Sequence, residues 1–359
     1  MNRWDAFATV CGYLQAGLLE TTPPHRVNNP SWELLVEASS YHYVTPALAW
    51  CLKNHSELPS EISEYLETVL ALNARRNEVL LAGLARIVGA LNAIDISPMP
   101  LKGAARLIAA DYPAPTLRLL GDLDVLIPAE RSANAVVALQ SIGFRPNADE
   151  VALPSCHHHL QTQHERETGV GVELHTDVLG GPAAAVIPTG WFWEGTNPFP
   201  FRDLKIRLPD ATRSVGHIIA HDQLSHWGYQ RKRFELRQLL DVAMIRRVSE
   251  RAINWAELDE RFTRMGFGEV LATYLNFMEE LLGQPAPRLR HAPRVGAIVD
   301  FKRVIETPPA WKQLAIMLSD YIARVHRDPR SVLDLLDLKT WPNRCLRVTR
   351  AIKRGIPSW

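Results

Sequence analysis

Apolar positions recur every three or four residues over most of this chain, and extended patterns interrupt them only near the middle. That spacing marks one face of a helix, and it predicts helices over residues 1–20, about 31–54 and 60–94. The longest carries Leu66, Val69, Leu70, Leu72, Val79, Leu80, Leu84, Ile87, Val88 and Leu91 in register. Ser31 and Ser60 stand at plausible N-cap positions. Pro46 marks a break or the first turn of a new helix. Asp95-Ile96-Ser97-Pro98 stops the long helix before a short extended piece, Met99 to Leu101.

The pattern then changes. A helix over Gly103 to Ala110 and a loop over Asp111 to Pro115 lead to a strand over Leu119 to Ile127, ended by Pro128. A helix over Ala129 to Ile142 closes at Gly143. Val151 to His164 and Gly169 to Val178 read as a hairpin about the polar segment Glu165–Thr168. Gly180-Gly181-Pro182 is a turn, and Lys205 to Leu208 adds a short strand. From Ala211 the helical period returns, with a joint near Gly228 and further helices over Trp255 to Met265 (capped by Asn254) and Phe267 to Leu282. Residues 283–297 read as an exposed connection, Ile298 to Val325 as mixed helix, and the stretch from Pro329 as a basic tail. The order predicts an α+β chain: an N-terminal helical region over 1–95, an α/β core over 96–208 and a C-terminal helical region over 209–359.

Composition narrows the classes. Of 359 residues 22% are charged, and Lys+Arg at 40 balances Asp+Glu at 39, so net charge points to no acidic or basic partner. The basic tail lacks interleaved aromatic residues, so it reads as a solvated face and not as a nucleic-acid surface. The cysteines, 4 in number, form no CxxC, which fits a reducing, cytoplasmic setting better than a disulfide framework. No uninterrupted apolar run is long enough to predict a membrane span. The 10 tryptophans are scattered and read as core anchors.

The candidate chemistry centres on Asp122 and Asp124. On a strand, residues two apart share a face, so both carboxylates would stand together while Leu123, Val125 and Ile127 turn inward. Two like charges on one rigid face are costly as core and well suited to a hard divalent cation such as Mg²⁺. Glu173, flanked by Val172 and Leu174 on another predicted strand, is the natural third carboxylate. Upstream, Lys102-Gly103 at a helix start offers backbone N–H groups and a positive charge to phosphate, and Arg118 adds a guanidinium. His159 and His175 are candidates for lining the same pocket, as substrate contact or general base. His157 and His159 would share a strand face. His217 and His221, four apart, have spacing for a transition metal, but no HExxH accompanies them. No GxxxxGK[ST], GxGxxG or GxSxG occurs.

These residues carry a resemblance. Leu101-Lys102-Gly103, Tyr112, Arg118, the run DLDVLI ending at Ile127, Gly143-Phe144 and the run VELH ending at His175 together resemble the uncharacterised nucleotidyltransferase family of the DNA polymerase β-like superfamily. Val44-Thr45-Pro46 to Leu52 and the run LRQLLDVA from Leu236 to Ala243 extend it. The resemblance implies a polymerase β-like core, a short mixed sheet with helices. It also implies three carboxylates, Asp122, Asp124 and Glu173, holding one or two Mg²⁺ ions and a nucleoside triphosphate. The chain departs from the superfamily pattern at Ala104, where a phosphate-contacting serine is usual. The expected reaction is transfer of a nucleoside monophosphate to an acceptor with release of pyrophosphate, Glu173 helping to deprotonate the acceptor. A non-catalytic nucleotide- or partner-binding module and a kinase-like transfer of the γ-phosphate are alternatives on the same residues.

Overall fold

Where the apolar spacing is helical, the backbone is helical. Helix α1 (Arg3–Leu14) starts in a capping box between Asn2 and Asp5. It passes into a wider π turn, Gln15–Leu19, before Glu20 breaks it at φ +56°. The predicted helix over 31–54 is two: α2 (Trp32–Tyr41) and α3 (Thr45–Leu52). Tyr43 at φ +57° turns the chain between them, and Pro46 lies in the first turn of α3, where a missing N–H is harmless. Helix α4 (Ser60–Asn92) has 33 residues and lays Leu80, Leu84, Ile87, Val88 and Leu91 into the core. The structure, a computed structural model, describes residues 1–21, 30–146 and 157–307.

Next come β1 (Met99–Pro100), α5 (Lys102–Ile108), β2 (Leu123–Leu126), α6 (Ser132–Ser141), β3 (Phe144–Pro146), β4 (Gln163–Glu165) and β5 (Gly171–His175). These strands form one five-stranded sheet in the order β1-β2-β5-β4-β3. The pair β2/β5 is parallel and the others are antiparallel. The hairpin expected about Glu165–Thr168 is β4/β5; the part of its first arm from Val151 to Cys156 lies outside the described residues. Leu123, Val125, Ile127, Val172 and Leu174 all point into the cluster that α4 supplies. At about 25 cal/mol per Å² of apolar surface, this shared core fixes the register of β2 against β5. A one-residue slip of either strand would turn that strand's apolar row outward.

Two short helices, α7 (Gly181–Val186) and α8 (Thr189–Glu194), lead to a separate hairpin, β6 (Thr196–Phe201) with β7 (Leu204–Pro209). Gly180 and Gly181, expected in a turn, are the entry to α7, and β6 has no counterpart in the predicted elements. The rest is helical: α9 (Ala211–Ala220), a π turn His221–Ser225, α10 (Leu236–Ser249), α11 (Trp255–Arg264) and α12 (Gly268–Leu282). The chain divides into two compact units, Met1–Ile298 and Val299–Trp359. A last helix, α13 (Ala297–Glu306), begins at the end of the first. The remainder of the predicted helix to Val325 and the basic tail lie outside the described residues. No described helix is long and apolar enough to cross a membrane.

The strand bearing the aspartates is shorter than the predicted Leu119 to Ile127, and α4 explains why. Asn73 Nδ2 donates to the carbonyls of Thr116 (2.6 Å) and Arg118 (3.4 Å). Asn77 Nδ2 donates to those of Pro115 (2.6 Å) and Arg118 (2.8 Å). Backbone acceptors taken by side chains are no longer free to join a ladder. The segment before Asp122 therefore lies along α4 as a tethered loop.

Candidate active site

Asp124 sits in the middle of β2, directly opposite Glu173 on the parallel strand β5. It is 3% exposed. Asp122 lies just ahead of β2, beyond the strand's first residue, and is exposed. The expectation of both aspartates within one strand is thereby refined: one is a strand residue, the other stands at its lip. Leu101 N–H donates to the Asp124 carbonyl at 2.9 Å, which pins the start of α5 against β2. Lys102 then adopts φ +47°, a left-handed conformation unusual for a side chain with a Cβ. Strain of this kind gathers at functional sites. It is the lysine, not Gly103, that carries it here.

The result is a cationic ring about one carboxylate. Lys102 Nζ donates to Asp124 Oδ1 at 2.9 Å, and His175 Nε2 lies 2.9 Å from the same oxygen. His175 Nε2 is also 3.7 Å from Glu173 Oε2, and His159 Nε2 is 3.6 Å from it. Backbone pairing of His159 with His175 holds the two rings on adjacent positions. Both pocket histidines expected from the sequence thus stand beside Glu173.

The charges respond accordingly. Burial by itself would raise Asp124, but Lys102 and the His175 hydrogen bond outweigh it and hold the carboxyl well below the usual range. Burial would lower His175, yet its hydrogen bonds to Asp124 and Glu173 raise it. Glu173 is lowered against the opposing effect of burial, chiefly by the His175 hydrogen bond. Asp122, although exposed by surface area, loses hydration to surrounding protein. That desolvation, and then the Asp124 charge, push it up. The site is thus built to keep Asp124 and Glu173 ionised at neutral pH.

Asp124, Glu173 and His175 bring one ligand atom each to within 4.8 Å of one another. Two carboxylates and an imidazole are an adequate donor set for a divalent cation; Asp122 is not part of this close cluster. The Lys102 ammonium lends positive charge to this cluster through Asp124.

Arg118 is placed differently from the expectation. Its guanidinium is buried and forks onto Asp241 of α10, Nε to Oδ1 at 2.8 Å and Nη2 to Oδ2 at 2.8 Å. Tyr112 Oη donates to the same Asp241 Oδ1 at 2.7 Å. A guanidinium so engaged is a structural link, and this geometry does not favour it as a triphosphate contact. Gly103 belongs to the same arrangement: a Cβ there would fall 2.6 Å from Leu120 Cδ2 and 3.0 Å from Arg118 Cζ. Close packing against the Arg118 side chain requires the glycine whatever phosphate does. Arg106 of α5 pairs with Asp111 at 2.6 Å and donates to Ser214 of α9 at 2.9 Å, tying the site's floor to the C-terminal helices.

The chain matches the family model described as "Uncharacterised nucleotidyltransferase" over residues 28–283. The chain belongs to that family. The matched region contains every residue of the site, from α4 through Asp241. Among solved structures, it is similar to an antigenic nucleotidyltransferase-like protein from Paracoccidioides brasiliensis, at 14% identity and a TM-score of 0.36, over 62% of this chain and 96% of that one. No curated protein matches.

Three further histidines wall the inner side. His217, His221 and His226 follow one another at ring distances of 6.0 and 4.1 Å. Burial, and then the charge of Lys102, push His217 down to about 3, His226 to about 4, and His221 well below its ordinary value. His217 packs edge-on to Phe192, and His221 Nδ1 lies 3.2 Å from Gln238 Oε1. Neither belongs to a three-ligand cluster among the described residues, so the transition-metal spacing noted in the sequence is a wall of neutral rings. Asn73, Asn77 and Asp241 were not singled out by sequence. The available signal was a pair of amides four apart on the apolar side of an amphipathic helix.

Proposed function

We propose that this protein is a Mg²⁺-dependent nucleotidyltransferase that moves a nucleoside monophosphate from a nucleoside triphosphate to an acceptor hydroxyl or phosphate. The observation that carries this is the parallel register of Asp124 against Glu173, which brings two ionised carboxylates and His175 within 4.8 Å in a member of a nucleotidyltransferase family. Asp122, Asp124 and Glu173 would hold one or two Mg²⁺ ions. Bound there, the metal supplies charge neutralisation for the phosphates and Lewis-acid polarisation of the reacting phosphorus.

The chain's own residues do the rest. Lys102, with its side chain 27% exposed, offers its ammonium to the triphosphate once Asp124 has a metal partner. The N-terminal N–H groups of α5 lie beside it and need no serine at Ala104 to receive an anion. Arg237 takes the part expected of Arg118. Its charge lies close enough to Asp122 to oppose that carboxyl's rise; its Nη2 pairs with Glu235 Oε1 at 2.7 Å, while its buried Nε has no hydrogen-bond partner. An acceptor oxygen attacks the α-phosphorus, the bond to the pyrophosphate oxygen breaks, and Glu173 takes the acceptor's proton. Its lowered pKa leaves it ionised and ready for that task.

Triphosphates labelled at the α and γ positions test the chemistry. Release of labelled pyrophosphate from the γ label, with the α label carried to product, is the expected outcome. A nucleoside diphosphate and transferred γ label would instead show kinase chemistry on the same residues. Arg237→Met should weaken triphosphate binding by about 1.5–3 kcal/mol, the range of a charged hydrogen bond, and Arg118→Lys should act chiefly on stability.

A further inference from the structure

Beside the carboxylates, three consecutive histidines converge. Successive residues of a strand point to opposite faces, so His157, His158 and His159 would ordinarily diverge. Here the backbone bends at His158 just before the bridge that His159 makes with His175. The ring centroids come to 4.6 Å for His157–His158, 4.1 Å for His157–His159 and 4.9 Å for His158–His159. One ring nitrogen from each lies within 4.8 Å of the other two. All three side chains are half-buried.

Stacking accounts for part of this, since the His157 and His158 rings are near parallel at 22°. It does not account for the nitrogens. His157 Nδ1 is buried without any hydrogen-bond partner. His159 Nδ1 lies 2.8 Å from the Leu160 carbonyl, which accepts only, so Nδ1 carries the proton and Nε2 keeps its lone pair. This is how ligating imidazoles are oriented: one nitrogen held by a carbonyl, the other turned to the metal. Gly180 leaves the space that His158 uses, for a Cβ there would sit 3.0 Å from its Nδ1. A tetrahedral ion holding nitrogens at about 2.0–2.1 Å sets them roughly 3.3 Å apart. From separations of up to 4.8 Å the rings need to close by about 1–1.5 Å, which half-buried side chains reach by small χ rotations.

We propose that His157, His158 and His159 bind one borderline divalent cation of the Zn²⁺, Co²⁺ or Ni²⁺ class, at a site separate from the Mg²⁺-type carboxylates. Imidazole donors select this class over Mg²⁺. Water completes the shell. The site rests on the imidazoles alone and stands whether or not the protein transfers nucleotides.

The test uses the full-length chain without any purification tag, stripped with chelator and titrated with Co²⁺ in excess Mg²⁺. Visible absorption reads the cobalt environment, and equilibrium dialysis reads the stoichiometry. The expected result is one Co²⁺ per chain, displaced by Zn²⁺. His157→Gln with His158→Gln should weaken binding at least about 10- to 100-fold, the range that even outer-shell changes reach. Asp124→Asn should leave it unchanged. Circular dichroism confirms folding, and the single variant His158→Gln serves if the double variant is unfolded. No bound Co²⁺ in the parent protein, equal affinity in the histidine variant, or loss of binding with Asp124→Asn each overturns the proposal. Triphosphate binding in Mg²⁺, measured separately on the histidine variant, reports on nucleotidyl transfer independently.

Discussion

Asp124 is a buried carboxylate whose one oxygen meets both a lysine and a histidine, and its ionisation rests on those two partners. Replacing it by asparagine keeps the shape and removes the charge. If the site stabilises transferring phosphate by several kcal/mol, Asp124→Asn should lower turnover about a thousandfold, at 1.36 kcal/mol per tenfold. A loss below tenfold in steady-state pyrophosphate release would contradict the role. A second residue, Asp222, makes a pH prediction. It is buried at the π turn, accepting from Gln223 Nε2 at 2.9 Å and Glu235 N–H at 3.3 Å. Burial, and then the Glu235 charge, push it up to about 8. From its ordinary value of 3.8 up to about 8 the unfolded chain is ionised there while the folded chain keeps its proton, so folded stability falls as pH rises through that window. Asp222→Asn removes the titration. Its melting temperature relative to the parent protein should climb between pH 5 and pH 8, and a constant gap would show that Asp222 is not held protonated. At this scale the sequence shows the carboxylates plainly, because two aspartates among apolar neighbours have no simple core role. It does not show that Arg118 is engaged. Arg118 finds Asp241 across 123 residues, a separation that no local pattern marks.

At the scale of elements, α4 does more than supply a core face. Asn73 and Asn77 hold the loop ahead of Asp122, and Asn92 Nδ2 donates to the Lys205 carbonyl at 2.9 Å while Lys205 N–H donates to Asn92 Oδ1 at 2.8 Å, fixing β7. Asn77→Ala would strand the Pro115 carbonyl, leave that of Arg118 only the longer bond from Asn73, and should cost about 1–3 kcal/mol. Urea denaturation measures the loss. Triphosphate affinity should weaken with it, since the freed loop no longer sets Asp122. Unchanged affinity would separate the loop from the site. Helices were legible through their apolar period, and β2 through its alternation. The true start of β2 was not, because the groups that end the ladder come from another helix. Hairpin partner β6 was hidden for a local reason: Thr196–Phe201 contains Pro198 and Pro200, which argue against a strand unless it lies at an edge.

Across the whole molecule, side-chain links cross the boundaries at 95/96 and 208/209 that the changing pattern marks. Arg106 reaches Ser214, Arg118 reaches Asp241, and Gln15 Nε2 donates to the Leu281 carbonyl at 2.8 Å, joining α1 to α12. The Arg118–Asp241 pair is the buried ion pair among these. Breaking a buried pair leaves an unpaired charge, so Asp241→Leu alone should cost about 3–5 kcal/mol in chemical denaturation. Arg118→Met together with Asp241→Leu should recover most of that, because the charge is removed with its partner. Equal losses in the single and double variants would mean that packing, not charge, binds α10 to the core. Regional order was legible from the shift of period. These crossing links were not, since each joins polar residues that look solvated until the fold brings them together.

The most direct measurement is calorimetric titration of the purified chain with each of the four nucleoside triphosphates, with and without Mg²⁺. The account predicts binding of at least one triphosphate that requires Mg²⁺ and is abolished in Asp124→Asn and Glu173→Gln, with both variants folded by circular dichroism. Triphosphate binding that is indifferent to Mg²⁺ and to both substitutions, or no binding at all, would contradict it.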